Sequence, residues 1–338
     1  MLYLHEHFFG LVPTARYFAS NDVVYRLQER KPAIGLAFYR FDFNEILGTI
    51  TQARAWTNRL EVYIAEPYID QQLIRLLEIF QNDPAIQFWG DGVLNVPCTN
   101  WQPAICWFVT ARHYYRDDAW AQAWLAQVDQ HLRHKPYQFD CLLGIPRPNR
   151  DAVEQLYHAS SHKNQIIYSY HKNRIKDGIW GWDIGTAQGS WEPVTVADQY
   201  QVALSALVPY DIYNQSWHSV VAESTDYNNI SHMTEKVAKP IMAERLFVVF
   251  AGQYYLRNLR QLGFQTFGSV IDESYDLEPD ANTRYRMAWQ EIEQLCEQDA
   301  TAVRSRIRAT LDHNRDLFLA TDWQQALRES LASASAAR

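Results

Sequence analysis

The chain has 338 residues, enough for two domains of ordinary size or one large one. Hydrophobic residues make up 47%, ample for packed cores. Lys and Arg (31) are outnumbered by Asp and Glu (39), and the net charge of −8 argues against a general nucleic-acid binder while leaving a local basic groove open. The cysteines, Cys98, Cys106, Cys141 and Cys296, show no Cys-x-x-Cys and no paired metal-ligand spacing, so they read as free thiols in a reducing compartment. The opening MLYLHEHFFGLVPTAR has no basic start, and His5, Glu6 and His7 break its apolar run, so no signal peptide is expected there. No apolar run reaches the length of a membrane helix. A cytoplasmic protein without a transmembrane segment is expected, with work at a membrane surface left open.

Strands are predicted at 34–41, 60–66, 85–91 and 104–110. Between the first three lie the helical patterns NEILGTITQARAW and DQQLIRLLEIFQN, the latter with Leu73, Leu76, Leu77 and Phe80 at helical spacing. An amphipathic helix, RDDAWAQAWLAQVDQHLR, follows. This alternation predicts a parallel, Rossmann-like domain over 1–136. The polar run RHKPYQFD at 133–140, broken by Pro136, reads as a linker. Then come a strand, DCLLGI, a loop and helix, PRPNRDAVEQLYHAS, with Asn149 as N-cap, and a strand at 166–171. The Gly- and Trp-rich stretch from Lys172 to Asp198 has no regular pattern and suits an excursion or lid. A strand through Val220 and Val221 ends on Glu223, and Thr234 caps a helix with Glu235 and Lys236 in its first turn. A buried strand from Leu246 to Phe250, a helix YYLRNLRQLG and a short strand FQTF complete a second parallel domain, 137–310. Helical patterns cover Asn282 to Leu311 and then DLFLATDWQQALRESLA, giving a final helical segment over 311–332.

In parallel sheets ligands bind at the carboxyl ends of strands, where helix N-termini supply free N–H groups and partial positive charge. Lys236 adds a full charge there, and Glu235 can accept hydrogen bonds from a diol. Together they suit a ligand with both phosphates and hydroxyls, such as a nucleotide sugar. The plainer alternative is dipole compensation by Glu235 and a solvated Lys236. Pro240 inside the same helix frees the carbonyl of Lys236, a local cost of a kind that concentrates at functional sites. Arg147 and Arg150 follow the DCLLGI strand and are suited to bidentate phosphate binding, one of them being enough; a solvated loop is the alternative. Ser169 and Tyr170 end the next strand, where the Tyr stacks on a base or packs in the core. Glu223 ends its strand at the same edge, within reach of a ribose or base. Lys239 belongs to this group or simply pairs with Glu235 at i,i+4 spacing.

The run TEKVAKPIMAERLFVVFAG resembles the donor-binding segment of GT-B glycosyltransferases, especially fucosyltransferases and exostosin-like enzymes. GFQTFGSVIDESYD and SWHSVVAEST are similar to the same group, and GIPRPNRDAVEQL resembles the Arg-bearing loop that opens its C-terminal domain. The resemblance spans Asp140 to Arg308. It implies an α/β, GT-B architecture with two Rossmann-like parallel-sheet domains facing a cleft, and a last helix returning to the first domain. It implies a glycosyltransferase that binds its nucleotide-sugar donor on the second domain, at Arg147, Arg150, Ser169, Tyr170, Glu223, Thr234, Glu235, Lys236 and Lys239. A GDP-linked sugar is what the nearest resemblance suggests. No metal and no other cofactor is expected; His5 and His7 imply no third ligand. Glu235 and Glu244 stand one residue further apart than the paired glutamates of retaining GT-B enzymes, which favours an inverting mechanism. Inversion needs a base from the first domain, and Asp91 and Glu66 end strands there, with His5, Glu6, His7 and His113 next in line. Acceptor glycan, lipid-linked glycan, protein and modified nucleic-acid base all remain open. The competing reading is a non-catalytic sugar- or nucleotide-binding module of the same fold. A dinucleotide oxidoreductase lacks support, because no strand is followed by Gly-x-Gly-x-x-Gly.

Overall fold

The computed structural model describes residues 34–38, 43–55, 57–64, 70–90, 92–98, 100–103, 135–144, 146–170 and 209–321. They are mixed α/β and fall into two compact units. One takes in the described residues up to 103 together with Asn229–Met233. The other takes in those from 135 to Asn228 and Thr234–Thr321.

The first unit holds β1 (Ile34–Phe38), α1 (Phe43–Arg54), β2 (Leu60–Ile64), α2 (Asp70–Phe80), β3 (Ile86–Gly90), β4 (Val93–Leu94) and β5 (Trp101–Pro103). Strands β1, β2, β3 and β5 form one parallel sheet in that order, with Ile34 opposite Leu60 and Leu60 opposite Ile86. Every residue of β3 is buried, as expected of a parallel strand covered on both faces. Helix α1 buries Ile46, Ile50 and Ala53, one stripe at helical spacing, and α2 buries Leu73, Leu76 and Leu77. The fourth strand of this sheet lies at Trp101–Pro103, just before the run 104–110, which is outside the described residues.

The second unit holds β6 (Tyr137–Leu143), α3 (Pro148–Ala159), β7 (Ile166–Tyr170), α4 (Tyr210–Tyr213) and β8 (Ser216–Ala222). Between β8 and the next helix, β9 (Ile230–Ser231) groups with the first unit and pairs antiparallel with β4. Then come α5 (Glu235–Met242), β10 (Phe247–Phe250), α6 (Tyr255–Gln261), α7 (Ala281–Cys296), α8 (Ala300–Arg306) and α9 (Arg308–Ala320). The sheet is parallel throughout, in the order β10-β8-β6-β7. Helices α3 and α7 pack against each other over the sheet, and α5 lies on β8 and carries α9. This parallel α/β unit is compatible with a Rossmann-like fold.

Some local expectations need correction. The run read as a linker, 133–140, contains the start of β6. Its polarity misleads because Asp140 is buried and paired with Arg245, far along the chain. Asn149 is not the N-cap of α3: Pro148 takes the first helical position, so Arg147 occupies the cap. FQTF is not a strand. The Asn314 carboxamide pairs with both the N–H and the C=O of Gln265 at 2.8 Å, standing in for a neighbouring strand. The Glu273 carboxylate takes the N–H of Phe267 at 2.6 Å. The helix read from Asn282 to Leu311 breaks after Cys296, because the Asp299 side chain accepts from Thr301 N–H at 2.9 Å and caps a new start.

Candidate functional site

In the second sheet, chain order reverses direction at β6. The chain moves outward to β7, then returns to the other side of β6 for β8 and on to β10. The crevice at such a reversal, beyond the carboxyl ends of β6 and β8, is where open α/β sheets bind ligands. At this edge the chain leaves β6 at Gly144 and enters α3 through Arg147–Arg150, and it leaves β8 through Glu223–Asn228 and enters α5 through Thr234–Lys236.

The helix starts differ in what they leave available. At α6 the Asp276 carboxylate accepts from the N–H groups of Leu256 and Arg257 at 2.8 and 2.9 Å, so the chain's own anion already sits there. At α3 no side chain caps the first turn. At α5 Thr234 is the N-cap as expected, its Oγ1 accepting from the Lys236 N–H at 3.2 Å. The same hydroxyl donates to Glu223 at 2.5 Å.

Glu223 is fully buried and works as an anchor. Its carboxylate also accepts from the Thr234 N–H at 3.1 Å, the Tyr255 hydroxyl at 2.7 Å and the Ser224 N–H at 3.3 Å. These partners use both oxygens, close to the capacity of a carboxylate. Burial pushes its pKa up, while Lys236, Thr234 and Tyr255 pull it back. The Glu223 carbonyl accepts from the Asn149 amide at 2.9 Å, tying the β6 and β8 segments together. Glu223 and Thr234 therefore hold the site's framework.

Charge concentrates around them. Lys236 Nζ donates to Glu235 at 2.8 Å, Ser224 Oγ at 3.1 Å and Thr234 Oγ1 at 3.3 Å, with its side chain 27% exposed. Burial acts to raise the Glu235 carboxyl, but the charges of Lys236 and Lys239 outweigh it and hold it down at about 2, fully ionised. Burial lowers Lys239 to about 8, against the pull of Glu235 and with the push of Lys236. Arg150 is buried, and burial followed by the Arg147 charge lowers it, while Glu223, Glu235 and Tyr170 favour its charge. The structure thus gathers Arg147, Arg150, Glu223, Thr234, Glu235, Lys236 and Lys239 at one edge. Tyr170 joins them through Asp151, to which its hydroxyl donates at 2.5 Å. Ser169 is buried, and alternation along β7 turns it to the opposite face from Tyr170. Asp91, Glu66, His5, Glu6, His7, His113 and the stretch 172–198 lie outside the described residues.

Glu244 stands beyond the far end of α5 from Glu235, with a left-handed backbone (φ 49°). Arg304 and Arg308 reach its buried carboxylate at 3.1 Å each, and Arg315 also contacts it. It serves the docking of α8 and α9. The residues that sequence reasoning missed are Asn149 as a bridge, Ser224, Asp151, Tyr255 and Asp276. Ser224 and Asp151 adjoin predicted residues; Tyr255 and Asp276 reach their partners across loops and carry no local signal.

The edge is closely packed at Gly252, after β10. A methyl group there would lie 1.9 Å from the carbonyl oxygen of Tyr227, and backbone cannot yield as a side chain does. Gly252→Ala is expected to displace the loop after β8, where Gln253 N–H bonds to Asn228 at 3.0 Å, and to cost about 1–3 kcal/mol in urea denaturation.

Among the described residues no helix is long and apolar enough to cross a membrane, and no group of three or more His, Cys, Asp or Glu is placed to hold a metal ion. No protein-family model, no curated protein and no solved structure matches the chain.

Proposed function

We propose that the chain is a nucleotide-sugar-dependent glycosyltransferase of the GT-B type, inverting and metal-independent, with its donor site in the second unit. One observation carries the reading. At the chain reversal between β6 and β8, Arg150 in the first turn of α3, with Arg147 beside it, and Lys236 and Lys239 on α5 bring positive charge to an ionised Glu235. Phosphate suits the cations and the helix N-termini, and a sugar or ribose diol suits the carboxylate. During transfer, negative charge grows on the departing diphosphate, and fixed cations there stabilise it more than they stabilise the bound donor. The reading assigns the acceptor to the first unit and its deprotonation to Asp91 or Glu66.

Lys236 already has a partner in Glu235, so it exchanges one charged contact for another when an anion enters. A charge-assisted contact is worth about 1.5–3 kcal/mol. Calorimetry with UDP, GDP, ADP, CMP and dTDP is expected to find at least one binder. Lys236→Ala should weaken that binder by about tenfold or more while the free protein still folds, with a lower melting midpoint because Glu235 loses its partner. No binding by any of the five, or unchanged affinity in the variant, removes the site. Nucleotide binding with neither transfer nor donor hydrolysis would instead mark a binding module.

A further inference from the structure

The loop that follows β8 carries a second carboxylate. Asp226 lies three residues beyond Glu223 and is half-buried. Its Oδ2 accepts from the Tyr285 hydroxyl at 2.9 Å, and its Oδ1 accepts from no group among the described residues. Tyr285 is 2% exposed near the start of α7, its ring 5.6 Å from that of Phe250 at the end of β10. Beside it, Arg284 Nε donates to the Ala251 carbonyl at 2.9 Å. The start of α7 is thus fixed to the end of β10 and holds Asp226 at the edge of the sheet. Burial, then the charge of Asp226, pushes the Tyr285 phenol up, so it stays protonated and donates. Two neighbours tie Asp226 to the crevice. Ser224, two residues before it, has its Cα within ~7 Å, and its hydroxyl accepts from Lys236 Nζ at 3.1 Å. Thr225, between them, is 6% exposed, and its hydroxyl has no hydrogen-bond partner among the described residues. Buried hydroxyls are seldom left so, and one next to a carboxylate with an open oxygen points to a ligand rich in hydroxyls.

We infer that Asp226 accepts from the ribose 2′- and 3′-hydroxyls of the donor, which makes the donor a ribonucleoside diphosphate sugar and disfavours its 2′-deoxy counterparts. The inference rests on the nucleotide-sugar reading. A nucleotide sugar has a hydroxylated ring at either end of its diphosphate, and Lys236 Nζ contacts both Glu235 and Ser224. The transferred sugar joins phosphate through a ring carbon, so its nearest hydroxyl stays close to the phosphate and suits Glu235, which Lys236 touches directly. Ribose joins through its C5′ methylene, so its diol stands further off and suits Asp226, beyond Ser224. The Tyr285 phenol takes one acceptor position of the carboxylate and leaves at least one on each oxygen, enough for both members of a vicinal diol. Like charge keeps the phosphates themselves away from Asp226.

Calorimetry on the full chain with UDP, GDP and ADP, each against its 2′-deoxy form, tests it. The ribonucleotide that binds should do so about fivefold or more tighter than its 2′-deoxy form, since the latter forgoes a charge-assisted hydrogen bond. In Asp226→Asn the ribonucleotide should weaken while the 2′-deoxy form stays within about twofold, so that the ratio falls towards one. Tyr285→Phe keeps the ring and removes the donor; it should lower the ratio part of the way, and it carries the test if Asp226→Asn does not fold. Lys236→Ala should weaken both forms alike and preserve the ratio. The inference is overturned if wild type binds both forms equally, if the ratio survives Asp226→Asn, or if both forms weaken alike in that variant, which would mark Asp226 as a clasp for its loop. Binding that depends on Lys236 but shows no ribose preference sinks this inference alone, whereas no binding by any of the nucleotides sinks the nucleotide reading with it.

Discussion

Arg245→Ala is expected to destabilise the protein by about 3–5 kcal/mol, because it leaves the buried Asp140 carboxylate without its charge partner. Arg245 is 2% exposed and stands just before β10. Its guanidinium donates to Asp140 at 2.5 Å, to Ser216 and Ser219 Oγ at 2.9 and 3.0 Å, and to the carbonyls of Tyr213, Ser216 and His218. The Tyr213 ring lies 4.1 Å from the guanidinium carbon. These contacts pin α4, β6, β8 and the entry to β10 together at one point of the sheet, so a single truncation touches the central strands. Burial already pushes the Asp140 carboxyl up, with Arg245 pulling it back; without Arg245 the carboxyl takes a proton or the strands separate. Urea denaturation followed by tryptophan fluorescence reads the loss. The double variant Arg245→Met, Asp140→Leu should recover much of it, since replacing a whole buried pair costs less than breaking it. A single variant within 1 kcal/mol of wild type by the same assay would show the pair to be dispensable.

That pair also explains which parts of the fold were legible from residues alone. Strands β2, β3, β8 and β10 are short apolar runs whose burial is local, and each is found within a few residues of its predicted place. The N-cap of α5 was legible for the same reason: Thr234 bonds to a backbone N–H two residues on. The start of β6 was not, because Asp140 looks like a linker residue until Arg245 arrives from a distant part of the chain. FQTF failed likewise, its backbone being satisfied by Asn314 and Glu273 and not by a strand. In the site, the cations at the helix starts follow from strand-end positions. The saturation of Glu223 by Tyr255 and Thr234 does not, since it depends on a loop returning across the edge of the sheet. Glu223, expected at a strand end, also holds Thr234 at the start of the helix that carries Lys236.

Below neutral pH the wild-type protein should lose stability that a His218→Phe variant keeps, by on the order of 2 kcal/mol at pH 5 and more at lower pH. His218 lies in β8, buried, with neither ring nitrogen bonded to the protein and its ring 5.2 Å from that of Phe139. Burial, then the charges of Arg245, Lys135 and Arg304, lower it from 6.5 to about 3. Between those values the unfolded chain binds a proton that the fold rejects. The stability tied to this histidine is therefore complete above pH 6.5 and drains as pH falls towards 3, at about 1.4 kcal/mol per pH unit. Glu235, held at about 2 against an ordinary 4.5, adds its own loss only below pH 4.5. Raised carboxyls such as Glu223 and Asp140 act in the opposite direction, and they are present in both proteins, so the difference between wild type and variant isolates His218. Phenylalanine keeps a ring beside Phe139 and leaves the His218 carbonyl free to accept from Arg245. Because the imidazole nitrogens contribute no hydrogen bond, the variant should be at least as stable as wild type at pH 7. Denaturation midpoints at pH 7, 6 and 5 decide the matter: parallel curves for the two proteins would mean that His218 is protonated within the fold.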